Sequence, residues 1–475
     1  MSIRRFAATM LAGVLSAGLL SGCILGVAPV QFLPRGAFAS VEEVALAVGA
    51  NGVKHYAWTE CFGEDEQYTC VLIYTRTATG AVIYSYGFVQ PIGMVVQDPD
   101  VAVTDSGDAY VVRSNCDGPF DCVDYWTVFP AINPGGVEPV SNLLHTSEVD
   151  SEGPPVVEAR GTDAYAAYFV TVGGFVRPRY RQLTGGSRSG YIDSGTLSPV
   201  EVSLAIDVYG DLHAAWVRNP VTDTIVAYAN NIAAPDNFHA ATTFESGGAD
   251  DIITRPALAL DGDDRPYVAY TINNGADDTI RLRCLAAVPG ECWRGAILMT
   301  VPEADGGWNV YRNVDLEVIG LQPQVVFAAT HDSLTHNEVW WFRPPSAEGI
   351  GPPTRVTNTT NENEGAPRIV RENSTAGDIP VVGWRTYELN AAGSQAPTGS
   401  PGTCHGDVFV LFNSTSNTRQ VFEDRGTCAN SGFDLAANGA WVAGVWTDEE
   451  SDQIASHAAW TTFNTYRVDL PLVKK

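Results

Sequence analysis

The chain has 475 residues, of which 45% are hydrophobic and 17% charged, a mixture that excludes a disordered chain, a coiled coil and a membrane-spanning bundle. Its 28 basic and 55 acidic residues leave a formal charge of −27, which excludes nucleic acid as a partner because phosphate binding needs clustered Lys and Arg. A chain of this length predicts several ordinary domains unless an internal repeat builds one large closed architecture.

The first 22 residues have the pattern of an export signal peptide. Arg4 and Arg5 precede an apolar run from Phe6 to Leu20 that is short for a bilayer span. The next segment, Leu20-Ser21-Gly22-Cys23, resembles the lipobox of bacterial lipoproteins. This resemblance implies cleavage before Cys23, a diacylglyceryl thioether on its sulfur, and acylation, for example with palmitate, of the new amino terminus. The alternative is an ordinary secretory signal cleaved elsewhere.

Lipidation would decide where the mature protein resides. Two or three acyl chains anchor a protein firmly, because each buried methylene contributes about 0.8 kcal/mol. We therefore expect residues 23–40 to be a lipidated tether, and the remainder to be a monomer facing the extracytoplasmic or extracellular side without crossing the membrane. Residues 27–38 could instead lie along the last repeat as an extra edge strand.

One pattern then recurs eight times along the chain. An alternating strand of small and branched residues, such as Val44 to Val48, is followed by a Gly, Asp or Asn turn. A second strand follows and ends small-small-aromatic, at an average interval of about 55 residues between copies. The positions that end these second strands are Trp58, Arg113, Tyr168, Trp216, Tyr270, Phe327, Trp384 and Trp446. Arg113 is the one position without an aromatic ring.

Two more strand-like runs follow each of these positions, without helical periodicity. Four antiparallel strands per copy predict an all-β fold, a single β-propeller. We expect eight blades, with seven as the alternative if one weak copy is misread; an array of β-sandwiches is the competing architecture. The propeller would occupy residues 41–475, with blades at about 41–97, 98–152, 153–198, 199–253, 254–307, 308–364, 365–428 and 429–475.

The cysteines agree with export. Of nine cysteines, eight remain once Cys23 is set aside, and they fall in four close pairs. An oxidising compartment therefore predicts four local disulfides, since a metal cluster would need Cys-x-x-Cys spacing or interleaved His. The predicted pairs are Cys61–Cys70, Cys116–Cys122, Cys284–Cys292 and Cys404–Cys428.

The turns between first and second strands carry Asp and Gly, as in Asp105-Ser106-Gly107-Asp108 and Asp261-Gly262-Asp263-Asp264. In this respect the chain resembles exported propellers of the sialidase-like superfamily. Their Asp-box, however, begins with Ser or Thr and usually links the third and fourth strands. The resemblance therefore implies the architecture, and no specific enzyme family is matched. We assign no catalytic residue, because the sequence contains no Gly-x-Ser-x-Gly, phosphate-loop or His-Glu-x-x-His motif.

The links after second and fourth strands are long and acidic, and in a propeller they share one rim. We expect a ligand or partner to bind there, because function concentrates on the loops of a rigid scaffold. The candidate residues of this acidic rim are Glu64, Asp65, Asp121, Asp277, Asp278, Asp448 and Glu449. No cofactor is predicted; calcium at the rim is one explanation of the charge, and a surface charged for solubility is the other.

Three functions compete. The first is a lipid-anchored binding or scaffold module whose acidic rim engages a protein or a glycan. The second is an extracellular glycan hydrolase or lyase that uses carboxylates in the axial pocket. The third is a structural surface or assembly protein. Carboxylates, Tyr and Arg converging at one axial site would favour the enzyme, whereas an exposed apolar flank would favour assembly.

Overall fold

The structure, a computed structural model, describes most of the chain from residue 26 to residue 464. The described ranges are 26–27, 31–32, 40–62, 69–78, 81–88, 94–117, 122–131, 139, 141–144, 153–186, 188–193, 199–218, 225–232, 238, 242–246, 252–253, 256–273, 277–285, 296–302, 314–330, 337–343, 353–358, 362–374, 377–388, 408–412, 418–421, 428–439, 441–449 and 456–464. Within these ranges the chain forms strands and turns, and no helix capable of spanning a membrane occurs there.

In the described part of the chain the strands form eight separate antiparallel sheets, and within each sheet consecutive strands pair side by side, apart from three strands of two residues each. The first four sheets contain β3 (Ser40–Val48), β4 (Lys54–Phe62), β5 (Thr69–Ala78) and β6 (Ala81–Gly87); β7 (Met94–Val103), β8 (Ala109–Asp117), β9 (Cys122–Phe129) and β10 (Ser141–Leu143); β11 (Val156–Arg160), β12 (Asp163–Val172), β13 (Phe175–Gln182) and β14 (Ser189–Tyr191); and β15 (Pro199–Ile206), β16 (Leu212–Arg218), β17 (Ile225–Asn230) and β18 (Thr242–Ser246).

The last four sheets follow the same order, and two of them include an additional strand. They contain β19 (Ile252–Ile253), β20 (Ala257–Leu260), β21 (Pro266–Asn273), β22 (Asp277–Cys284) and β23 (Ala296–Pro302); β24 (Val314–Ile319), β25 (Gln322–Ala329), β26 (Glu338–Phe342) and β27 (Thr354–Arg355); β28 (Glu362–Ser374), β29 (Gly377–Glu388), β30 (Val408–Phe412) and β31 (Thr418–Val421); and β32 (Cys428–Asn438), β33 (Trp441–Glu449) and β34 (Ser456–Asn464) with β1 (Gly26–Val27) and β2 (Gln31–Phe32).

One strand of each sheet faces its counterparts in the neighbouring sheets. We call β3, β7, β11, β15, β20, β24, β28 and β32 the inner strands. Each inner strand contacts the next one along the chain, and β32 contacts β3. The described residues form strands and turns only, so the predicted all-β class is confirmed. Successive antiparallel sheets whose inner strands contact one another are the arrangement of a β-propeller.

The hydrophobic core lies between neighbouring sheets rather than within one. Trp58 pairs with Val44 and Trp216 with Val202, and both tryptophans are at most 1% exposed. Leu46, Tyr56 and Trp58 of the first sheet pack with Val445 of the last, so the two ends of the chain share one cluster. The second strands also continue past the repeated aromatic position, which the sequence had placed at their ends: β4 runs on to Phe62.

Arg113 stands at the repeated second-strand position where the sequence has an aromatic residue in the other sheets. Its side chain is buried, and its guanidinium lies 4.3 Å from the Phe88 ring centroid. Nε donates to Asn115 Oδ1 at 3.1 Å, Nη1 to Thr127 Oγ1 at 3.1 Å and Nη2 to Ser141 Oγ at 3.0 Å. The arginine therefore fills the aromatic position by stacking its plane on a ring and satisfying its donors within its own sheet.

Two of the predicted disulfides are present, Cys61–Cys70 and Cys116–Cys122, each with a Cα–Cα distance of 4.0 Å. Both join residues that face each other directly across the second and third strands of a sheet. Cys284 is also disulfide-bonded, and Cys292, its predicted partner, lies outside the described residues. The pairing of Cys404 with Cys428 and the lipidation of Cys23 lie outside them as well.

The segment assigned to the tether contributes strands to the last sheet. Gly26 and Val27 pair with Asn464 and Phe463, and Gln31 and Phe32 with Trp460 and Ala459. This is the edge-strand arrangement that was the alternative to a free tether. The amino-terminal segment thus supplies the outer strand beside β34, and the last sheet combines both ends of the chain.

Candidate functional site

The inner strands line an axial channel that contains two cavities. The loop-side cavity, about 630 Å³, lies at the beginnings of the inner strands, on the rim of the long links. The turn-side cavity, about 700 Å³, lies at their ends, on the rim of the tight turns. Glu158 lines both cavities, so the two meet at this residue.

Acceptor side chains occupy one repeated position on the inner strands. In the fourth sheet, the repeated aromatic Trp216 on the second strand pairs with Val202 on the inner strand. The position in question is the next residue on the inner strand, Ser203. The same offset in the second, sixth and eighth sheets selects Asp100, Asp315 and Asp434. In the first, third, fifth and seventh sheets it selects Ala45, Val156, Ala257 and Arg368. Acceptors therefore alternate with non-acceptors around the channel.

Each of these four residues binds the backbone of the next sheet. The bonds run from Val157 N to Asp100 Oδ2 at 2.8 Å, from Leu258 N to Ser203 Oγ at 3.3 Å, from Ile369 N to Asp315 Oδ2 at 2.8 Å and from Leu46 N to Asp434 Oδ2 at 2.8 Å. An inner strand is a sheet edge whose inward N–H groups have no strand partner, so a neighbouring acceptor satisfies a donor that would otherwise be unpaired.

Two glutamates lie deeper in the channel. Burial, together with the negative charges of Asp100 and Glu317, raises the pKa of Glu158 to about 8, against the opposing charge of Arg160. Burial raises the pKa of Glu317 to about 7, against the opposing effect of Arg371. At neutral pH the Glu158 side chain is therefore mostly a protonated acid, a hydrogen-bond donor inside a carboxylate-rich channel.

Asp434 both accepts a backbone hydrogen bond from the next sheet and has a raised pKa. Burial raises its pKa to about 6, although Arg368 and the N–H of Leu46 favour its ionised form. Arg368 Nε lies 3.9 Å from Asp434 Oδ1 and faces the same loop-side cavity. The loop-side cavity thus offers hydrogen-bond acceptors, one protonated acid and one guanidinium, with a net negative charge.

The acidic residues on the loop-side cavity are different residues from those predicted for the acidic rim. Glu64, Asp65 and Asp121 lie outside the described residues. Asp277 and Asp278 begin β22, while Asp448 and Glu449 end β33, and their side chains lie outside the described part. Sequence reasoning missed Asp100, Asp315 and Asp434; the usable signal was an acid on the first strand of a repeat, at a constant offset from the repeated second-strand position.

The buried histidines serve the core. His55 Nδ1 lies 2.7 Å from the hydroxyl of Tyr74, and His213 Nδ1 lies 2.6 Å from that of Tyr228, at the same position in the first and fourth sheets. Burial lowers the pKa of His55 to about 3 and also lowers that of His213. Among the residues with described side chains, no three His, Cys, Asp or Glu are grouped so that they could hold a metal ion.

No family model and no curated protein matches this chain. Among solved structures, an α-L-arabinanase from Penicillium chrysogenum is 10% identical, with 82% of this chain and 98% of that chain covered and a TM-score of 0.44. A polysaccharide lyase described as an ulvan lyase of family PL25 is 10% identical, with 76% and 96% covered and a TM-score of 0.46. A protein of unknown function from Dyadobacter fermentans is 12% identical, with 65% and 96% covered and a TM-score of 0.40.

Proposed function

We propose that the eight sheets are the blades of one closed propeller that is exported and anchored through lipidated Cys23. Closure is supported by the contact of β32 with β3, by the Leu46–Asp434 hydrogen bond and by the pairing of β1 and β2 with β34. A ring closed by strands from both ends of the chain needs no further edge protection.

We propose further that the protein binds a glycan in its axial channel, and that the glycan enters through the loop-side cavity. The observation that carries this proposal is the convergence of Asp100, Asp315, Asp434, Glu158 and Arg368 on one cavity. Its volume of about 630 Å³ is in the range of small-molecule sites. Carboxylates accept hydrogen bonds from sugar hydroxyls, while protonated Glu158 can donate one, so both roles of a hydroxyl are matched.

The charge of the cavity narrows the class of glycan. Several carboxylates against a single nearby guanidinium repel carboxylated or sulfated sugars. Neutral sugars and protonated amino sugars are therefore the proposed ligands. The acidic rim is predicted to lie on the same side of the propeller as this cavity, and its loops would then extend the binding surface around the mouth. Calcium at the rim stays a proposal, tested by a rise in melting temperature at constant ionic strength.

Glycan cleavage is the second candidate, because the channel holds a protonated carboxylic acid among other carboxylates. A hydrolase needs an acid that protonates the leaving oxygen and an ionised carboxylate that acts as base or nucleophile. Glu158 has the protonation state of the acid, since its pKa is raised to about 8. A binding module and a hydrolase would share the same cavity and differ in turnover.

The experiment separates binding from cleavage. Neutral and amino oligosaccharides are titrated into the parent protein and assayed for new reducing ends. Glu158→Gln retains the shape and removes the proton that is transferred, so it should abolish cleavage and weaken binding by less than about tenfold. The control is Asp263→Asn, whose side chain is 63% exposed and lines neither cavity of the channel. Absence of glycan binding to the parent would contradict the proposal, and binding without new reducing ends would identify a binding module.

A further inference from the structure

A second pocket opens on the rim of the tight turns, between the third and fourth sheets. It has a volume of about 530 Å³. The residues that shape this Tyr209 pocket are Asp163, Tyr165, Gln182, Thr184, Arg188 and Tyr209. They come from the start of β12, from the end of β13 and the turn that follows it, and from the turn between β15 and β16. The pocket therefore lies at the opposite end of the inner strands from the loop-side cavity.

Tyr209 presents its ring to solvent on a rigid turn. The residue is 84% exposed, whereas Asp207, which holds the turn, is 3% exposed. Asp207 Oδ1 accepts hydrogen bonds from the N–H groups of Tyr209 and Asp211, both at 2.8 Å, and Gly210 adopts a φ of +81°. Because the backbone of this turn is already ordered, a ligand that stacks on the ring would lose little conformational entropy on binding.

Polar groups form the other side of the pocket. Gln182 Nε2 donates to Asp163 Oδ1 at 3.2 Å, which orients the amide and leaves further sites free on the carboxylate. Tyr165 donates its hydroxyl to Gly210 O at 3.2 Å and ties the pocket wall to the Tyr209 turn. A Cβ at Gly186 would lie 2.2 Å from Gln182 Oε1, so a glycine is required there for the amide to keep its position.

The balance of charge indicates the class of ligand. The lining includes one carboxylate, Asp163, and one guanidinium, Arg188, together with an amide and hydroxyls. Opposite charges in equal number favour neither an anionic nor a cationic ligand. An exposed aromatic face beside several donors and acceptors matches a molecule with one apolar face and many hydroxyls.

We propose that the Tyr209 pocket is a second binding site, specific for short neutral saccharides that stack on the Tyr209 ring and hydrogen-bond to Asp163, Gln182 and Arg188. This site is separate from the axial channel and does not depend on the function proposed for it. It would let an anchored propeller hold a glycan chain on the rim opposite to the channel mouth.

Maltotriose, cellotriose and xylotriose serve as probes, titrated calorimetrically and by saturation-transfer NMR into the parent and three variants. Tyr209→Ala should weaken binding of the preferred trisaccharide at this site by about tenfold or more. Val208→Ala, a neighbour that is 58% exposed on the same turn, is the matched control and should bind like the parent. Glu158→Gln, in the channel, should leave this site unchanged.

Two results would overturn the proposal. One is a Tyr209→Ala variant that binds within about twofold of the parent while retaining its melting temperature, which would place any binding elsewhere. The other is a parent protein that binds none of the three probes at concentrations up to about 10 mM. Loss of binding in Glu158→Gln but not in Tyr209→Ala would support the channel site and refute this one.

Discussion

The backbone N–H of Leu46 donates a hydrogen bond to Asp434 Oδ2 at 2.8 Å, although 388 residues separate the two in sequence. Leu46 lies on the inner strand of the first sheet and Asp434 on that of the last. The equivalent bond from Val157 to Asp100 joins sheets that are adjacent in the chain. The same local interaction therefore joins consecutive sheets in one place and the two ends of the chain in another.

Replacing Asp434 should weaken the contact between the first and last sheets. Asp434→Ala leaves the Leu46 N–H without its acceptor, and we expect a loss of about 1–3 kcal/mol in the free energy of unfolding. Asp434→Asn keeps an acceptor oxygen at nearly the same place and should lose less. Urea unfolding measures both variants.

Hydrogen exchange at single amides provides the control. In Asp434→Ala the Leu46 amide should lose protection while the Val157 amide keeps it, and Asp100→Ala should show the reverse. Equal protection of Leu46 in the parent and in Asp434→Ala would contradict the role assigned to this bond.

Stability should fall as pH rises from weakly acidic to weakly basic values. The pKa values of Asp434, Glu317 and Glu158 are raised to about 6, 7 and 8 in the folded protein. Between the ordinary carboxyl pKa near 4 and these raised values, the folded state binds more protons than the unfolded state. The stability contributed by protonation is therefore complete below about pH 4 and is lost as pH rises toward 8.

Glu158→Gln tests this pH dependence, because the amide cannot ionise. Melting temperatures measured from pH 5 to pH 8.5 should decline less steeply for the variant than for the parent. Asp263→Asn, on an exposed turn, should retain the slope of the parent. A parent whose melting temperature rises across this interval would show that other groups dominate.

Arg113 should tolerate an apolar replacement better than a lysine. Arg113→Lys keeps a buried charge but loses the planar fork that reaches Asn115, Thr127 and Ser141, and we expect a loss of about 2–4 kcal/mol. Arg113→Met removes the charge, and Thr127 and Ser141 can still bond to each other at 3.0 Å. The free energy of unfolding measured in urea should therefore be larger for Arg113→Met than for Arg113→Lys. The opposite order would contradict the description of Arg113 as a guanidinium stacked on Phe88.

Peptide mapping without reduction should recover all four predicted disulfides. Cys61–Cys70 and Cys116–Cys122 are present in the structure, and Cys284–Cys292 and Cys404–Cys428 are the pairs to be found. Each links residues close in sequence, so digestion should release compact linked peptides. A free thiol at any of the eight, or a link between distant sheets, would contradict the assignment.

Cys23→Ser should release the protein from membranes. Serine cannot form the thioether that holds the diacylglyceryl group, so the variant should appear in the soluble exported fraction. Fractionation followed by detergent extraction measures this, with the parent as reference. A variant that still requires detergent would refute the lipobox interpretation.

Local sequence was sufficient for the repeated unit. Alternating small and branched residues, a Gly or Asp turn, and an aromatic such as Trp58 or Trp216 specify strands and their order, because strand period and turn chemistry are local properties. Cross-strand cysteine pairs could also be predicted from local sequence, because Cys61 and Cys70 lie on either side of the loop that joins two paired strands. The sequence showed that Arg113 replaces the repeated aromatic residue, but it did not predict how the arginine is accommodated.

Tertiary structure decided the site. Asp100, Asp315 and Asp434 lie on three separate strands, more than 100 residues apart in sequence. They become one set of channel groups because the inner strands contact one another in sequence order, and burial there raises the pKa of Asp434 to about 6. Residues 26–27 and 31–32 pair with β34, and no local pattern encodes that pairing. Local chemistry thus determined the blade, and the arrangement of blades around an axis determined which side chains act together.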